Sequence, residues 1–272
     1  MTILVTGATS GIGLAAATLL ARQGRDVVLV GRTERTASAA AAIVRADADA
    51  ATVSWHAADL ACPDQVGTLA RRVSLEHPRL DGLVLCAAVS NPDQVTTEGI
   101  DTTLAVNHLA PVLLTRLLDQ HLLGGRIMLV SSSRHGSAGP FDPEIFALGS
   151  QASAVHRYEA TKLLNLLFAS ARLRRPHGAP METIDPGFVR TGLGRNARGA
   201  FRLLLTLTRP FQSSPQVPAQ RIADRLLADD FQDGSHVGLN GAAQLAANAR
   251  DEAAAELAWE WTNDVLTRSK WE

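Results

Sequence analysis

A tyrosine and a lysine, Tyr158 and Lys162, stand four residues apart in a segment with a helical pattern. Residues at this spacing lie on one face of a helix, so their charges can interact. A free tyrosine titrates near ~10, and a fixed cation beside it is expected to lower that pKa toward neutral pH. The pair predicts Tyr158 as a proton donor and Lys162 as its activator. The alternative is an accidental pair on a solvated helix face.

Three consecutive hydroxyls, Ser131, Ser132 and Ser133, end a strand-like run one helix before this pair. A hydroxyl at that position could hydrogen-bond a substrate oxygen while the tyrosine protonates it. Lys162 is one of only two lysines in the chain, which favours a specific role. His135, just beyond the serines, is expected to lie in a surface loop, and contact with substrate is its alternative role.

The N-terminal run 2–5 has a strand pattern and leads at once into a glycine-rich turn and a long helix. Gly7, Gly11 and Gly13 would let the backbone turn sharply, approach a pyrophosphate and pack the helix on the sheet. The helix N-terminus would supply amide donors to phosphate. The sequence therefore predicts a dinucleotide-binding turn, with an ordinary strand-to-helix turn as the alternative.

The elements that must position these groups alternate along the chain. Strand-like apolar runs occur at 3–5, 27–30, 52–55, 83–86, 127–130 and 181–184, and long helices are predicted at about 97–121 and 155–174. This alternation predicts an α/β fold, a doubly wound Rossmann-type domain with a mostly parallel sheet and helices on both faces. We expect residues 1–272 to form a single domain of this kind.

Two long segments interrupt the alternation, at about 134–154 and about 190–220. Both follow the carboxyl ends of predicted strands, where open α/β sheets bind ligands. We expect the first to be a substrate-side loop and the second a lid whose leucine-rich stretch, 201–211, covers an apolar ligand. Core packing and a membrane-surface helix are alternatives for that stretch, and surface insertion without function is an alternative for both segments.

The composition points to a small-molecule partner. A net charge of −1 over 272 residues gives no electrostatic reason to bind nucleic acid. Cys62 and Cys86 lack the spacing of a metal site or a disulfide framework, so no metal is expected. The N-terminus lacks a signal-peptide pattern, and no segment reaches about eighteen uninterrupted apolar residues. We therefore expect a cytoplasmic protein without a membrane span.

Several motifs occur in a recognisable order. They are the glycine turn from Thr6 to Gly13, Asp59-Leu60, Val106-Asn107-His108-Leu109, Val130-Ser131-Ser132, Tyr158 to Lys162, and Asp185-Pro186-Gly187-Phe188-Val189-Arg190-Thr191. Together they resemble the short-chain dehydrogenases/reductases, and the subgroup looks like the retinol dehydrogenases and protochlorophyllide reductases. The resemblance covers nearly the whole chain. It implies an oxidoreductase that transfers hydride between a nicotinamide and a carbonyl or alcohol.

The resemblance also implies roles for individual residues. Ser132 would polarise the carbonyl, Tyr158 would be the general acid/base, and Lys162 would activate it and bind the ribose. Asn107 would anchor a proton-relay water. Either neighbouring serine could replace Ser132, and Asn107 could instead be a helix-interior polar residue bonded to backbone.

The expected cofactor is NADP. The second strand is followed by Arg32, with no carboxylate for a ribose 2′-hydroxyl, and a guanidinium matches a 2′-phosphate. Ser10 or Thr33 could add donors, and a solvated arginine is the alternative. Asp59 would contact the adenine and Thr191 the nicotinamide end, unless they are simple turn residues. The full expected cofactor set is Gly7, Thr9, Ser10, Gly11, Ile12, Gly13, Arg32, Asp59, Leu60, Ala87, Asn107, Tyr158, Lys162, Pro186, Gly187, Val189 and Thr191.

One stretch departs from the family, because Leu85-Cys86-Ala87-Ala88 stands where Asn-Asn-Ala-Gly is usual. The missing amides would remove hydrogen bonds between neighbouring strands, and the Ala88 methyl lies near the nucleotide, so cofactor affinity is affected more than mechanism. Cys86 is expected to be a small buried hydrophobe and not a nucleophile.

The function expected from these observations is NADPH-dependent reduction of a ketone or aldehyde with a small, apolar structure. The same scaffold could act as a C=C reductase, an isomerase or a dehydratase, or as a non-catalytic NADP-binding protein. Relatives of the family associate through the long helices that carry Asn107 and Tyr158, so a homodimer is possible.

Overall fold

The protein is described from a computed structural model that covers residues 1–48, 50–90, 94–176, 178–189, 213–269 and 271. The strands found there are β1 (Thr2–Thr6), β2 (Asp26–Gly31), β3 (Val53–Ala57), β4 (Gly82–Leu85), β5 (Arg126–Val130), β6 (Met181–Ile184), β7 (His236–Gly238) and β8 (Gly241–Ala242). They form one sheet in the order β3-β2-β1-β4-β5-β6-β7-β8. The pairs are parallel except β7 with β8, which is antiparallel. The predicted doubly wound α/β fold is confirmed.

Helices cover both faces of the sheet. They are α1 (Gly11–Arg22), α2 (Glu34–Ala46), α3 (Pro63–Glu76), α4 (Thr102–Leu104), α5 (Ala110–Leu117), α6 (Ala154–Arg172), α7 (Gln216–Leu227) and α8 (Glu252–Arg268). The segment Ala105–Leu109 joins α4 to α5 as a π-helical turn. Within the described part of the chain, no helix is both long enough and apolar enough to cross a bilayer.

The core lies in two layers because side chains on a strand point alternately to opposite faces. On β1, Leu4 packs into the layer under α3, α5, α6 and α8, whereas Ile3 and Val5 pack into the layer under α1, α2 and α7. All three side chains are fully buried. Burial on both faces explains why the strands have continuous apolar runs and not alternating ones.

The predicted helix 97–121 differs from the structure at both ends. The helix begins at Thr102, because the Asp101 carboxylate caps it by accepting the backbone N–H of Leu104 over 2.9 Å. Gly99 precedes it with a φ of +78°, which is incompatible with a helix. At the other end, α5 stops at Leu117 and a short 3-10 turn follows.

The two predicted long segments have different outcomes. The segment 134–154 contains two 3-10 turns, Ser133–Ser137 and Pro143–Phe146, and ends where α6 begins. Most of the predicted lid, including the leucine-rich stretch 201–211, lies outside the described residues. Only its end is described, where α7 starts at Gln216.

The C-terminal helix α8 was not predicted and packs along α6. Trp259 stacks on Phe168 with ring centroids 5.4 Å apart and nearly parallel planes. The guanidinium of Arg175 lies over the same indole, 4.3 Å from its centroid. Nearly every residue of α6 from Arg157 to Arg172 is buried.

Candidate active site

The predicted cofactor residues follow the carboxyl ends of β1 to β6, which lie along one edge of the sheet. They are the glycine turn after β1, Arg32 after β2, Asp59 and Leu60 after β3, Ala87 after β4, and Pro186, Gly187 and Val189 after β6. Open α/β sheets bind ligands at this edge where the strand order reverses, here between β1 and β4. Thr191 lies outside the described residues.

The glycine turn is packed tightly against the segment that follows β4. Gly7 and Gly11 have φ values of +67° and +58°. A Cβ atom on Gly7 would lie 2.8 Å from the Cα of Ala87, and one on Gly13 would lie 2.5 Å from the Gly7 carbonyl oxygen. The turn thus needs glycine for backbone angle and for space, and it aims the N-terminus of α1 along the site edge.

The residue that follows β2 offers an exposed cation to this edge. Gly31 is packed against Thr9, whose methyl would lie 2.5 Å from a Cβ on that glycine. Arg32 follows and is exposed. The hydroxyl of Thr33 caps α2 by accepting the N–H of Thr36 over 3.3 Å. The sequence had predicted this hydroxyl as a phosphate donor and did not indicate the cap. Ser10 is the N-cap of α1, but its side chain does not cap that helix.

The remaining cofactor candidates fall into core and turn positions. Ile12 and Leu60 are buried in the two core layers. Asp59 holds its own turn, because its carboxylate accepts the N–H of Ala61 over 3.0 Å. Asp185 does the same for Gly187, again over 3.0 Å. The turn-residue interpretation of Asp59 is therefore consistent with its contacts.

A threonine supplies the strand-tying contacts near the altered stretch 85–88. The Thr6 hydroxyl accepts the N–H groups of Cys86 (3.1 Å) and Ala87 (3.3 Å) and donates to the Val84 carbonyl (3.3 Å). Hydrogen bonds between β1 and the segment after β4 therefore persist without asparagine side chains. Burial raises the pKa of the Cys86 thiol to about 11, so the thiol is protonated at neutral pH, as expected for an inert residue.

Tyr158 and Lys162 face each other across one turn of α6, as their spacing predicts. The helix starts at Ala154 because the Ser153 hydroxyl accepts the N–H of His156 over 3.2 Å. The Lys162 Nζ lies 5.5 Å from the centroid of the Tyr158 ring. Lys162 is only 2% exposed, and its ammonium donates to the Val130 carbonyl oxygen over 2.9 Å.

The expected direction of the Tyr158 pKa is wrong. Burial removes hydration from the phenolate and raises the pKa of Tyr158 to about 12, although the hydroxyl of Ser132 and the charge of Arg134 act to lower it. The same loss of hydration lowers the pKa of Lys162 to about 8. Spacing alone could not reveal this, because it does not report how much water surrounds the two groups, or that the Lys162 ammonium is bonded to the Val130 carbonyl.

The three serines are distinguished by their surroundings. Ser131 is fully buried and its hydroxyl donates to the Lys162 carbonyl over 3.2 Å, whereas Ser133 is exposed. Ser132 interacts with the hydroxyl of Tyr158 and accepts the N–H of Arg134 over 3.2 Å. Of the three hydroxyls, that of Ser132 is therefore the one beside the phenol.

Asn107 lies in the π-helical turn and ties it to the segment after β4. Its side chain accepts the Val89 N–H (2.8 Å), donates to the Val89 carbonyl (2.9 Å) and donates to the Thr161 hydroxyl (3.2 Å). Its own carbonyl accepts the side-chain amide of Asn165 over 3.0 Å. The side chain thus makes hydrogen bonds to backbone, as the helix-interior alternative expects, and it also contacts Thr161 on the helix of Tyr158 and Lys162.

His108 is a buried residue to which sequence reasoning gave no role. Its ring is fully buried and links helices, with Nδ1 2.9 Å from the Asn165 Oδ1 and Nε2 2.9 Å from the Thr262 Oγ1. Burial lowers the pKa of His108 to about 4. The motif Val106-Asn107-His108-Leu109 indicated that this segment matters but not that the ring is buried, because the contact with Thr262 joins residues 154 positions apart.

Acid is therefore expected to destabilise the protein through His108. In the unfolded chain histidine binds a proton below about pH 6.5, but folded His108 does so only near pH 4, so stability falls as pH decreases through this interval. The full difference corresponds to about 3 kcal/mol as an upper bound. Urea unfolding at several pH values should show a smaller acid loss in His108→Gln than in the wild type. Parallel curves for the two proteins would contradict this assignment.

His135 is not at the loop surface, where the sequence placed it. It is 3% exposed, and its Nδ1 lies 2.7 Å from the Ser132 carbonyl oxygen. The expected position of His135 in a surface loop is therefore wrong.

Comparison with known proteins agrees with this geometry. The model of the family "short chain dehydrogenase" matches residues 1–143. A Streptomyces protein assigned as a daunorubicin C-13 ketoreductase is 39% identical over 71% of this chain and 68% of its own. The chain belongs to the short-chain dehydrogenase/reductase family.

Within the family, the relatives include retinol dehydrogenases. Human retinol dehydrogenase 13 is 31% identical over 95% of this chain and 82% of its own, and mouse retinol dehydrogenase 12 is 30% identical over 97% and 85%. The structure of an uncharacterized protein from Mycobacterium paratuberculosis has a TM-score of 0.77 at 26% identity, covering 99% of this chain and 93% of its own. A short-chain dehydrogenase from Sphingobium yanoikuyae in complex with NADPH has a TM-score of 0.67 at 25% identity, covering 97% and 95%.

Proposed function

We propose that this protein is an NADPH-dependent reductase that adds hydride to the carbonyl of a small, apolar ketone or aldehyde. The observation that carries the proposal is the meeting of Ser132, Tyr158 and Lys162 at the end of β5 that faces the glycine turn. Cys86 lies between the glycine turn and this group of side chains, since its thiol interacts with the Gly13 backbone and with Lys162. The ketoreductase relative and the NADPH-bound structural neighbour support the choice of reaction and cofactor.

The residues at the site edge fit a dinucleotide. The crowded backbone of the glycine turn and the N-terminus of α1 would hold the pyrophosphate, Arg32 the 2′-phosphate, and Lys162 the ribose. When bound, NADPH supplies the hydride.

The protein's own groups then handle the proton. With a pKa raised to about 12, Tyr158 keeps its proton at neutral pH and is ready to donate it. The Ser132 hydroxyl would hydrogen-bond the substrate oxygen and direct it to the phenol. With a pKa of about 8, Lys162 is mostly charged at neutral pH, and its ammonium would stabilise the phenolate left after Tyr158 has donated. A buried cation is more effective for this than an exposed one, because water does not screen it.

Labelled hydride tests the reaction class. NADPH deuterated at the transferred position is incubated with the protein and a panel of ketones, aldehydes and quinones, and the products are analysed by mass spectrometry and NMR. Deuterium on the carbinol carbon is the expected result. Deuterium on a carbon of a former C=C bond would establish a C=C reductase instead, and NADPH binding without product across the panel would favour a non-catalytic nucleotide-binding protein.

The cofactor preference is expected to depend on Arg32. A guanidinium–phosphate hydrogen bond contributes about 1.5–3 kcal/mol, so Arg32→Ala should raise the KM for NADPH by about 10- to 100-fold and leave the KM for NADH nearly unchanged. Arg79→Ala is a matched control, because Arg79 is also exposed but lies before β4, at the opposite edge of the sheet. An unchanged NADPH-to-NADH ratio in Arg32→Ala would show that this arginine does not read the phosphate.

A further inference from the structure

A histidine holds the turn that begins with the serine of the site. Ser132 is the N-cap of the 3-10 turn Ser133–Ser137, and the ring of His135 folds back so that Nδ1 lies 2.7 Å from the Ser132 carbonyl oxygen. A carbonyl oxygen can only accept, so Nδ1 must carry the proton. The ring therefore closes a small hydrogen-bonded loop on the backbone of Ser132.

The other ring nitrogen binds a segment far along the chain. The backbone N–H of Ala246 donates to Nε2 of His135 over 3.1 Å, so Nε2 must be the acceptor. The side-chain amide of Asn248 donates to the carbonyl oxygens of His135 (2.9 Å) and Gly139 (2.7 Å). We name residues 243–249 the C-terminal strap. It fixes one tautomer of His135 and binds the backbone at His135 and at Gly139, just after the turn.

The surroundings of the ring are tightly packed. A Cβ atom on Gly136 would lie 3.3 Å from the Cβ of Ala246, so the strap lies directly against the turn. The ring of His236 packs edge-on against His135 at 5.9 Å, and its Nδ1 lies 2.9 Å from the Thr183 hydroxyl. Burial and the neighbouring His135 lower the pKa of His236. The ring of His135 thus has little freedom to rotate.

We propose that His135 is a positioning residue for the Ser132 hydroxyl, and that the C-terminal strap holds its ring in the position this requires. The inference rests on the proposed function, in which Ser132 binds the substrate oxygen. The Ser132 hydroxyl accepts the Arg134 N–H inside the same turn, so a shift of the turn moves the hydroxyl relative to Tyr158. A displacement of about 1 Å at a reacting group can reduce turnover about 10²-fold.

Two substitutions test the two sides of the ring. His135→Gln retains an acceptor toward the strap but lacks the Nδ1 donor to Ser132. Ala246→Pro removes the N–H donor to Nε2 and sets the proline Cδ in place of that hydrogen, so the ring must shift; the φ of Ala246, −64°, is one that proline adopts. We expect kcat for ketone reduction to fall about 10- to 100-fold in His135→Gln, and in the same direction in Ala246→Pro, with the NADPH Kd within about twofold of wild type.

His121→Gln is the matched control. Its Nδ1 also lies 2.9 Å from a backbone carbonyl, that of Pro78, but at the opposite edge of the sheet. We expect wild-type kcat in this variant. If His135→Gln does not fold, Ala246→Pro tests the proposal alone, since it keeps the histidine and changes only its contact with the strap.

A double-mutant cycle with Ser132→Ala separates positioning from general damage. If His135 acts through the Ser132 hydroxyl, adding His135→Gln or Ala246→Pro to Ser132→Ala should change kcat less than about twofold. Losses that multiply, or full turnover in both single variants, would overturn the inference and leave the proposed function intact. Unchanged turnover in Ser132→Ala alone would instead overturn the proposed role of Ser132 and this inference with it.

Discussion

Replacing Tyr158 with phenylalanine is expected to reduce kcat by about 10²- to 10⁴-fold, while the Kd for NADPH stays within about twofold. The change removes one hydroxyl and keeps the ring, so the contact of the Lys162 ammonium with that ring is retained. The hydroxyl interacts with Ser132, and no other phenol can replace it because the chain contains one tyrosine. Cofactor fluorescence measures binding, and NADPH oxidation with a reactive ketone measures turnover.

The single tyrosine also allows a direct test of its protonation state. The ultraviolet difference spectrum between wild type and Tyr158→Phe contains only the signal of this residue. Because burial raises the pKa of Tyr158 to about 12, no phenolate absorbance is expected in the ligand-free protein below pH ~10. Phenolate absorbance at neutral pH would mean that Tyr158 does not carry the proton that it is proposed to donate. Wild-type turnover in Tyr158→Phe would remove it from the mechanism.

The sheet and the site edge were predictable because they depend on local patterns. Apolar runs such as 127–130, separated by helical patterns, identify strands buried on both faces, and parallel strands necessarily bring their carboxyl ends to one edge. The residues after β1, β2 and β5 therefore had to meet. The spacing of Tyr158 and Lys162 likewise determined that they share a face of α6.

Contacts between distant residues could not be predicted in the same way. The bond between His108 and Thr262 and the bond between His135 and Ala246 each join residues more than one hundred positions apart, and neither histidine stands in a pattern that reports burial. The sequence therefore placed His135 at the surface. The strand β7, with only three residues, is too short to show a period.

The pKa values show what spacing leaves undetermined. Four residues on a helix give the separation of Tyr158 and Lys162, but not the amount of water around them. The structure shows that Lys162 is almost fully buried and donates to Val130. Both groups are consequently shifted toward their neutral forms, which the sequence did not indicate.

Replacing Lys162 with methionine is expected to be the second most damaging change. Methionine has a similar length and no charge, so it fills the space but leaves the phenolate of Tyr158 without a cation and the Val130 carbonyl without its donor. Loss of a preorganised charge at a reacting centre reduces kcat by about 10²- to 10³-fold. We also expect weaker NADPH binding, since Lys162 is the proposed ribose ligand. Steady-state kinetics and cofactor titration measure both effects.

The pH profile distinguishes a charge effect from a packing effect in this variant. In the wild type, the ammonium of Lys162 loses its proton near its pKa of about 8, so kcat/KM should decline as pH rises through that value. Below it the cation is present and the rate is at its plateau. Lys162→Met has no group that titrates there, so its residual activity should lack this decline. A decline near the same pH in Lys162→Met would assign the titration to another group and leave Lys162 only a packing role.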